Sequence, residues 1–165
     1  MRLANVGGRA TILTGAGGID VASASGGRAG PDVPALYEDW DAFEALAAEL
    51  ATGDGPIDAV PVDEADLLSP VPAPRQVFAI GLNYRSHVEE TGRDMPSVPA
   101  TFTKFPASLA GPYDEVTLSG DTVDWEVELV VVIGRRADRV AEADGWRHVG
   151  GLTVGQDLSD RTLQF

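Results

Sequence analysis

The sequence has no cysteine, few basic side chains and no long apolar run. Without cysteine, the 165-residue chain has no disulfide, no thiolate metal ligand and no cysteine nucleophile. Lys and Arg total 12 against 26 Asp and Glu, so the basic surface that nucleic acid or an anionic membrane requires is missing. No apolar run approaches the ~20 residues of a membrane span, and the start lacks the apolar segment of a secretion signal. We therefore expect a cytoplasmic globular protein that binds neither nucleic acid nor membrane.

The stretch "SPVPAP", residues 69 to 74, divides the chain into two regions. Three prolines in six residues exclude a helix or a central strand, so this segment is predicted to be an extended linker. Residues 1–70 combine short strands joined by glycine turns with one amphipathic helix, which indicates a small α+β domain. Residues 71–165 consist mostly of strand-like segments. The apolar face of the helix is predicted to contain Trp40, Phe43, Leu46, Ala47 and Leu50.

Several shorter segments carry local predictions. "IDVAS" (19–23) and "EVTLS" (115–119) are expected to be strands, and "LSDRTLQ" (158–164) is expected to begin a helix. Together with the regions above, these segments predict a mainly β fold of mixed α+β type. The predicted domains are 1–70 and 71–165.

The segment "DWEVELVVVIG", residues 124 to 134, is a strand with an unusual charge pattern. Side chains alternate along a strand, so Asp124, Glu126 and Glu128 share one face. The apolar stretch 130–133 is expected to be fully buried, which would place Glu126 and Glu128 near the edge of the core. The pattern alone favours a half-solvated strand whose acids face water. A divalent cation held by the two glutamates is the functional alternative, because hard cations take carboxylate oxygens.

Two further groups of residues are candidates for chemistry. Asp157, in "VGQDLSDR", is either a third metal ligand or the N-cap of the following helix. His87 and Glu90 stand three residues apart in "SHVEE", so they share one side of a helical turn. A carboxylate that orients an imidazole makes a general base, whereas an incidental surface ion pair is the simpler interpretation.

Four blocks, in order, resemble the fumarylacetoacetate hydrolase (FAH) family: "FAIGLNYRSHVEETG", "FTKFPASLAGP", "VDWEVELVVVIG" and "VGGLTVGQDLSDRTLQ". They cover residues 76–165, and residues 1–70 resemble the variable N-terminal domain of bacterial members. The resemblance implies an FAH-type rolled β-sandwich after a small α+β domain, in the smaller bacterial branch. It also implies a homodimer.

The resemblance implies a role for each candidate residue. The metal ligands for Mg²⁺ (or Mn²⁺ or Ca²⁺) would be Glu126, Glu128 and Asp157. The proton-transferring dyad that activates water would be His87 and Glu90. Gln164 matches a position that contacts substrate in relatives, whereas Lys104 lies in a different block from the substrate-binding lysine of the family and receives no role.

The implied activity is a metal-dependent hydrolase that cleaves a carbon–carbon bond of an acylpyruvate or β-diketo acid through a metal-chelated enolate. An isomerase or tautomerase, a decarboxylase or a lyase on a related keto acid is the alternative, because the same ligands serve all of these reactions. The chain ends at "TLQF", before the end of the family's catalytic domain, and "DRT" replaces the usual "ARD". We therefore expect a truncated chain that is weakly active or inactive by itself, or a non-catalytic fragment.

Overall fold

A computed structural model describes residues 1–52, 58–92 and 94–164, and strands outnumber helices in it. The strands are β1 (Arg2–Val6), β2 (Arg9–Thr14), β3 (Gly17–Asp20), β4 (Leu67–Leu68), β5 (Val77–Gly81), β6 (Ala100–Lys104), β7 (Val123–Asp124), β8 (Val127–Ile133), β9 (Val149–Gln156) and β10 (Ser159–Asp160). The helices are α1 (Val21–Ala24), α2 (Val33–Glu38), α3 (Trp40–Thr52) and α4 (Arg85–Thr91). None of the helices within the described residues combines the length and apolar character needed to cross a bilayer.

The N-terminal sheet has the strand order β3-β2-β1-β4 and is antiparallel throughout. Tight turns join its first three strands, and β4 returns from the end of the region to pair with β1. Helices α2 and α3 supply most of the apolar side chains of the core, as their 3.6-residue spacing predicts, and β2 and α1 add one each. The buried core cluster is Ala10, Val21, Val33, Leu36, Trp40, Phe43, Leu46 and Ala47.

Carboxylates cap two of the N-terminal helices. The Asp32 side chain accepts a hydrogen bond from the Ala35 N–H at the start of α2 (2.9 Å), so a backbone donor is satisfied there. Asp20 does the same at α1, where it accepts from the Ser23 N–H (2.8 Å). The predicted strand over 19–23 is therefore only half right, because the Asp20 cap ends β3 and starts a helical turn.

The second region consists of three antiparallel strand pairs, β5–β6, β8–β9 and β7–β10. The predicted strand over 115–119 is wrong, because these residues form no ladder. The predicted helix over 158–164 is also wrong. Residues Ser159–Asp160 pair with β7, and only a turn follows them. Asp157 therefore does not cap a helix.

A glycine-lined contact joins α3 to the β8–β9 pair. Trp40 lies against Gly134 and Gly150, and a Cβ added at Gly134 would come within 2.9 Å of the indole Cγ. Beside this contact, the Arg135 guanidinium bonds Asp41 Oδ1 (2.6 Å) and also pairs with Glu44, both on α3. The sheet that carries the acidic strand is therefore fastened to the N-terminal core.

The expectation that residues 130–133 are fully buried is wrong. Val130 is 36% exposed, Val131 46% and Ile133 58%. Side chains do alternate between the two faces of the strand. However, no second layer of described residues covers the face that contains the odd-numbered side chains. Burial of a strand depends on what packs on it, which its own pattern does not contain.

Candidate metal and keto-acid site

The acidic strand and the segment that carries Asp157 pair directly. Glu128 lies opposite Gly155 in the β8–β9 ladder. Two residues further along, the Asp157 N–H donates to the Glu126 carbonyl (2.8 Å), so these two residues also face each other. Side chains directly opposite on antiparallel strands have Cβ atoms about 5 Å apart, and every second residue returns to the same face. Glu126, Glu128 and Asp157 therefore occupy one face of one strand pair.

Gly155, which lies opposite Glu128, stands where there is no room for a side chain. A Cβ added at Gly155 would lie 2.9 Å from the Val130 side chain. A larger residue there would crowd the face that holds the carboxylates. The glycine thus allows Val130 to pack closely against the opposite strand on this face.

Two cationic side chains of the protein are paired with the carboxylates at this face. Arg161 bonds Glu126 Oε1 (2.6 Å) and Asp124 Oδ2 (3.0 Å). The Lys104 ammonium pairs with Asp157 Oδ1, and the Asp157 side chain is only 13% exposed. Both contacts offset like-charge repulsion in a partly buried place. Neither contact was assigned from the sequence.

Glu128 lies next to these two ion pairs, two residues along its strand from Glu126. In the described part of the chain, no lysine or arginine forms a salt bridge with it. Burial raises the pKa of the Glu128 carboxyl, repulsion from Glu126 and Asp157 raises it further, and nearby His87 lowers it. A raised carboxyl pKa means that the negative charge is disfavoured until a cation arrives.

The carboxylates fit a hard divalent cation by chemistry, although they are not yet arranged around one. Within residues 1–52, 58–92 and 94–164, no three acidic or imidazole side chains converge closely enough to hold an ion as they stand. The reason is visible in the ion pairs, because Glu126 and Asp157 are each engaged by a protein cation. Three carboxylates with two protein cations leave a net negative charge on this face. Carboxylate oxygens are also the ligands that Mg²⁺ or Mn²⁺ prefers. The metal assignment stays a prediction.

His87 and Glu90 lie on α4, as the helical spacing predicted. Their Nδ1 and Oε2 atoms are 3.9 Å apart, longer than a hydrogen bond, and both side chains are largely exposed. Tyr84 begins α4 and left-handed Gly92 ends it, while Val88 is buried beneath it. The helix is therefore held on one side and presents the pair to solvent. The catalytic role of the pair stays a prediction.

Gln164 is connected to the carboxylates through Arg161. Its Oε1 accepts a hydrogen bond from Arg161 Nη1 (3.0 Å), the same nitrogen that contacts Glu126. The predicted substrate-contacting residue thus lies at one end of the carboxylate face. Its contact with substrate stays a prediction.

A separate recess of about 200 Å³ lies beside the end of β5. It is mostly apolar and is bounded by Ile80, Asn83 and Met95, among others, with none of the predicted ligands in its lining. The charged face of the β8–β9 pair is a better candidate for chemistry, because an apolar recess offers no group that binds a cation or moves a proton.

The chain belongs to the fumarylacetoacetate hydrolase family. Residues 76–165 match the family described as fumarylacetoacetate (FAA) hydrolase C-terminal. The human mitochondrial oxaloacetate tautomerase FAHD2A is 42% identical over 126 residues, which are 75% of this chain and 38% of the relative. The chain therefore spans less than two fifths of that relative's length.

Solved structures agree with the family and with its fold. A putative HpcE protein from Mycobacterium smegmatis is 48% identical with a TM-score of 0.86, and the match covers 100% of this chain and 57% of that one. Maleylpyruvate hydrolase from Sphingobium sp. SYK-6, in complex with manganese(II) and pyruvate, is 29% identical with a TM-score of 0.74 over 98% of this chain and 60% of its own. The prediction of a mainly β, mixed α+β FAH-type fold is confirmed.

Proposed function

We propose that this chain carries the cation-binding half of an enzyme that interconverts the keto and enol forms of a small keto acid such as oxaloacetate. The observation that carries the proposal is the register that places Glu126, Glu128 and Asp157 on one face, with Glu128 lacking a lysine or arginine partner among the described residues. The oxaloacetate tautomerase activity of a relative with 42% identity supports this choice of reaction. The manganese in the maleylpyruvate hydrolase complex supports a divalent cation.

Glu126, Glu128 and Asp157 would hold the cation through one carboxylate oxygen or more each. When bound, a divalent ion supplies the positive charge that stabilises an enolate oxygen. Glu128 is the first point of attachment, since no lysine or arginine side chain has to leave it. Arg161 can keep its bond to Asp124 while it shares Glu126, so the guanidinium remains beside the site.

His87 would move the proton between carbon and solvent. Its Nδ1 faces Glu90, which leaves Nε2 as the atom that accepts or returns the proton. At 3.9 Å the two groups are too far apart for a hydrogen bond, so the exposed pair has to close by about 1 Å before Glu90 fixes the ring tautomer. Both residues lie on α4 and are largely exposed, so a change of side-chain rotamer is sufficient.

Cleavage of a carbon–carbon bond is the second candidate. It is favoured by the maleylpyruvate hydrolase, which matches 98% of this chain. The same residues would serve, with His87 taking a proton from water instead of carbon. A homodimer, a cytoplasmic location and the lack of nucleic-acid or membrane binding remain part of the proposal.

Activity assays separate the two candidates. The chain with Mn²⁺ is given oxaloacetate, whose enol is followed by its ultraviolet absorbance, and separately an acylpyruvate, whose cleavage is followed by product formation. Because the chain spans 38% of the oxaloacetate tautomerase relative, we expect keto–enol exchange only slightly faster than with Mn²⁺ alone, and this excess should be lost in both Glu128→Gln and His87→Ala. Glu142→Gln, which changes an exposed glutamate in the 3-10 segment Glu142–His148, is the matched control and keeps the wild-type rate. Acylpyruvate cleavage without exchange would favour the hydrolase, and equal rates above the Mn²⁺ background in wild type and Glu128→Gln would exclude this site.

A further inference from the structure

Lys104 makes a contact between two strand pairs that the family assignment does not explain. It is the last residue of β6, which pairs with β5, yet its ammonium reaches Asp157, 53 residues later and next to β9. Its side chain is 33% exposed and that of Asp157 13%. An ammonium on a partly buried carboxylate lowers the cost of that negative charge. Lys104 thus occupies Oδ1, one of the two Asp157 oxygens that a divalent ion could use.

The two protein cations at this face differ in what happens when an ion arrives. The Arg161 guanidinium pairs with Asp124 as well as Glu126, so it retains one salt-bridge partner if Glu126 binds the ion instead. Lys104 has a single point charge, and Asp157 is its one salt-bridge partner in the described part of the chain. An ion on Asp157 therefore competes with Lys104 directly and repels it.

We propose that Lys104 is a built-in counter-ion of this site: it holds Asp157 in the metal-free protein, competes with the divalent ion, and then binds a carboxylate of the ligand. The inference rests on the proposed function. The four carboxylates Asp124, Glu126, Glu128 and Asp157, balanced by Lys104 and Arg161, leave two net negative charges, which a divalent ion neutralises. The released ammonium, already one-third exposed, then lacks a carboxylate partner and can pair with the carboxylate of an anionic keto acid.

Lys104→Met tests the competition, because methionine retains most of the side-chain length and loses the charge. Mn²⁺ affinity is measured from the electron paramagnetic resonance signal of the free ion. We expect Lys104→Met to bind Mn²⁺ about tenfold more tightly than wild type, since one repelling charge is gone. Lys104→Arg should stay within about threefold of wild type. Arg136→Met, which removes an exposed charge elsewhere, should not change the affinity.

The second half of the test uses oxalate, a small dicarboxylate, at saturating Mn²⁺. Here Lys104→Met should bind oxalate about tenfold more weakly, so that the two affinities change in opposite directions. A purely structural role would weaken both. Unchanged or weaker Mn²⁺ binding in Lys104→Met would overturn the competition, and unchanged oxalate binding would overturn the ligand contact. Thermal unfolding confirms that each variant is folded.

Glu128→Gln distinguishes failure of this inference from failure of the site. If Glu128→Gln loses Mn²⁺ while Lys104→Met binds like wild type, the site stands and the role of Lys104 is rejected. If wild type and Glu128→Gln bind Mn²⁺ equally, the site itself is rejected and the inference falls with it.

Discussion

Residues 1–68 and residues 77–164 differ in how they bury apolar surface. Ten of the eleven buried hydrophobic residues in the described chain lie in the first region, and Val88 is the exception. The second region instead exposes one apolar face of the β8–β9 pair. That face contains Trp125, Val127, Leu129, Val131, Ile133, Leu152 and Val154, each between 46% and 78% exposed.

The first region provides most of the stability of the fold, and the second provides the candidate chemistry. The first region has a packed core and no candidate catalytic group, whereas the second has every candidate group. Ion pairs and ladder hydrogen bonds hold its carboxylates, while His87 and Glu90 lie on the exposed side of α4. An uncovered apolar face of this kind favours association with another apolar surface. Stability measurements should therefore respond to the first region, and ligand binding to the second.

Core truncation should have the largest effect on stability. Phe43→Ala removes a ring that is 2% exposed, and loss of such a side chain costs about 3–5 kcal/mol of unfolding free energy. The matched change in the second region, Leu129→Ala on the open face, should cost less than about 1 kcal/mol. Urea unfolding followed by circular dichroism measures both. Equal losses would mean that the open face is packed in solution.

The contact between the two regions gives an intermediate effect. Gly134→Ala places a Cβ 2.9 Å from both the Trp40 ring and the Gly150 Cα, and overpacking of this kind costs about 1–3 kcal/mol. Gly151→Ala is the control in the same strand pair, since its added Cβ would meet no atom within 4 Å. Similar urea midpoints for the two variants would show that Trp40 does not dock on the sheet as described.

Two carboxylates should change stability in opposite directions. The bond from Arg9 holds the pKa of Asp20 well below its usual range, so its stabilising effect is present near neutral pH and disappears as the pH falls through its unfolded and then its folded pKa. Burial raises the pKa of Glu128, so its charge destabilises the metal-free fold near neutral pH, and this penalty vanishes in acid.

Thermal unfolding between about pH 3 and pH 8, without metal, measures both effects. Asp20→Asn should lower the melting temperature near neutral pH, and Glu128→Gln should raise it. Both differences from wild type should shrink as the solution is acidified. A lower melting temperature for Glu128→Gln at neutral pH would contradict the repulsion inferred at the carboxylate face.

The smallest effect is expected at Arg135. Its guanidinium joins α3 to the second region through Asp41 and Glu44, but exposed ion pairs contribute little. Arg135→Met should shift the urea midpoint less than Gly134→Ala does, and the shift should diminish at high salt. Arg136→Met, one residue away and exposed, serves as the control. A large shift that is insensitive to salt would indicate that Arg135 acts by packing.

Local pattern accounts for a defined part of this molecule. The 3.6-residue spacing of Trp40, Phe43 and Leu46 predicted the buried face of α3, and the two-residue alternation placed Glu126 and Glu128 on one face. The four sequence blocks indicated the family and, through it, the fold. These features depend on residues that are neighbours in the chain.

The remaining features depend on residues that are distant in the chain. Burial of residues 130–133 was mispredicted because it requires a covering layer, and a strand's own sequence does not specify one. Lys104 was not assigned to the site because its contact with Asp157 spans two strand pairs. The contact of Arg161 could have been predicted from the sequence. Arg161 stands four residues after Asp157, and the acidic strand 124–134 has no basic residue of its own.

The central claim is that Glu126, Glu128 and Asp157 share one divalent ion. Crystals of the chain soaked in Mn²⁺ and measured at the manganese absorption edge locate the ion directly. The account predicts one strong anomalous peak within about 2.0–2.6 Å of an oxygen from each of the three carboxylates, with the Lys104 ammonium moved off Asp157. A peak elsewhere on this acidic protein, with Lys104 still on Asp157, would contradict it.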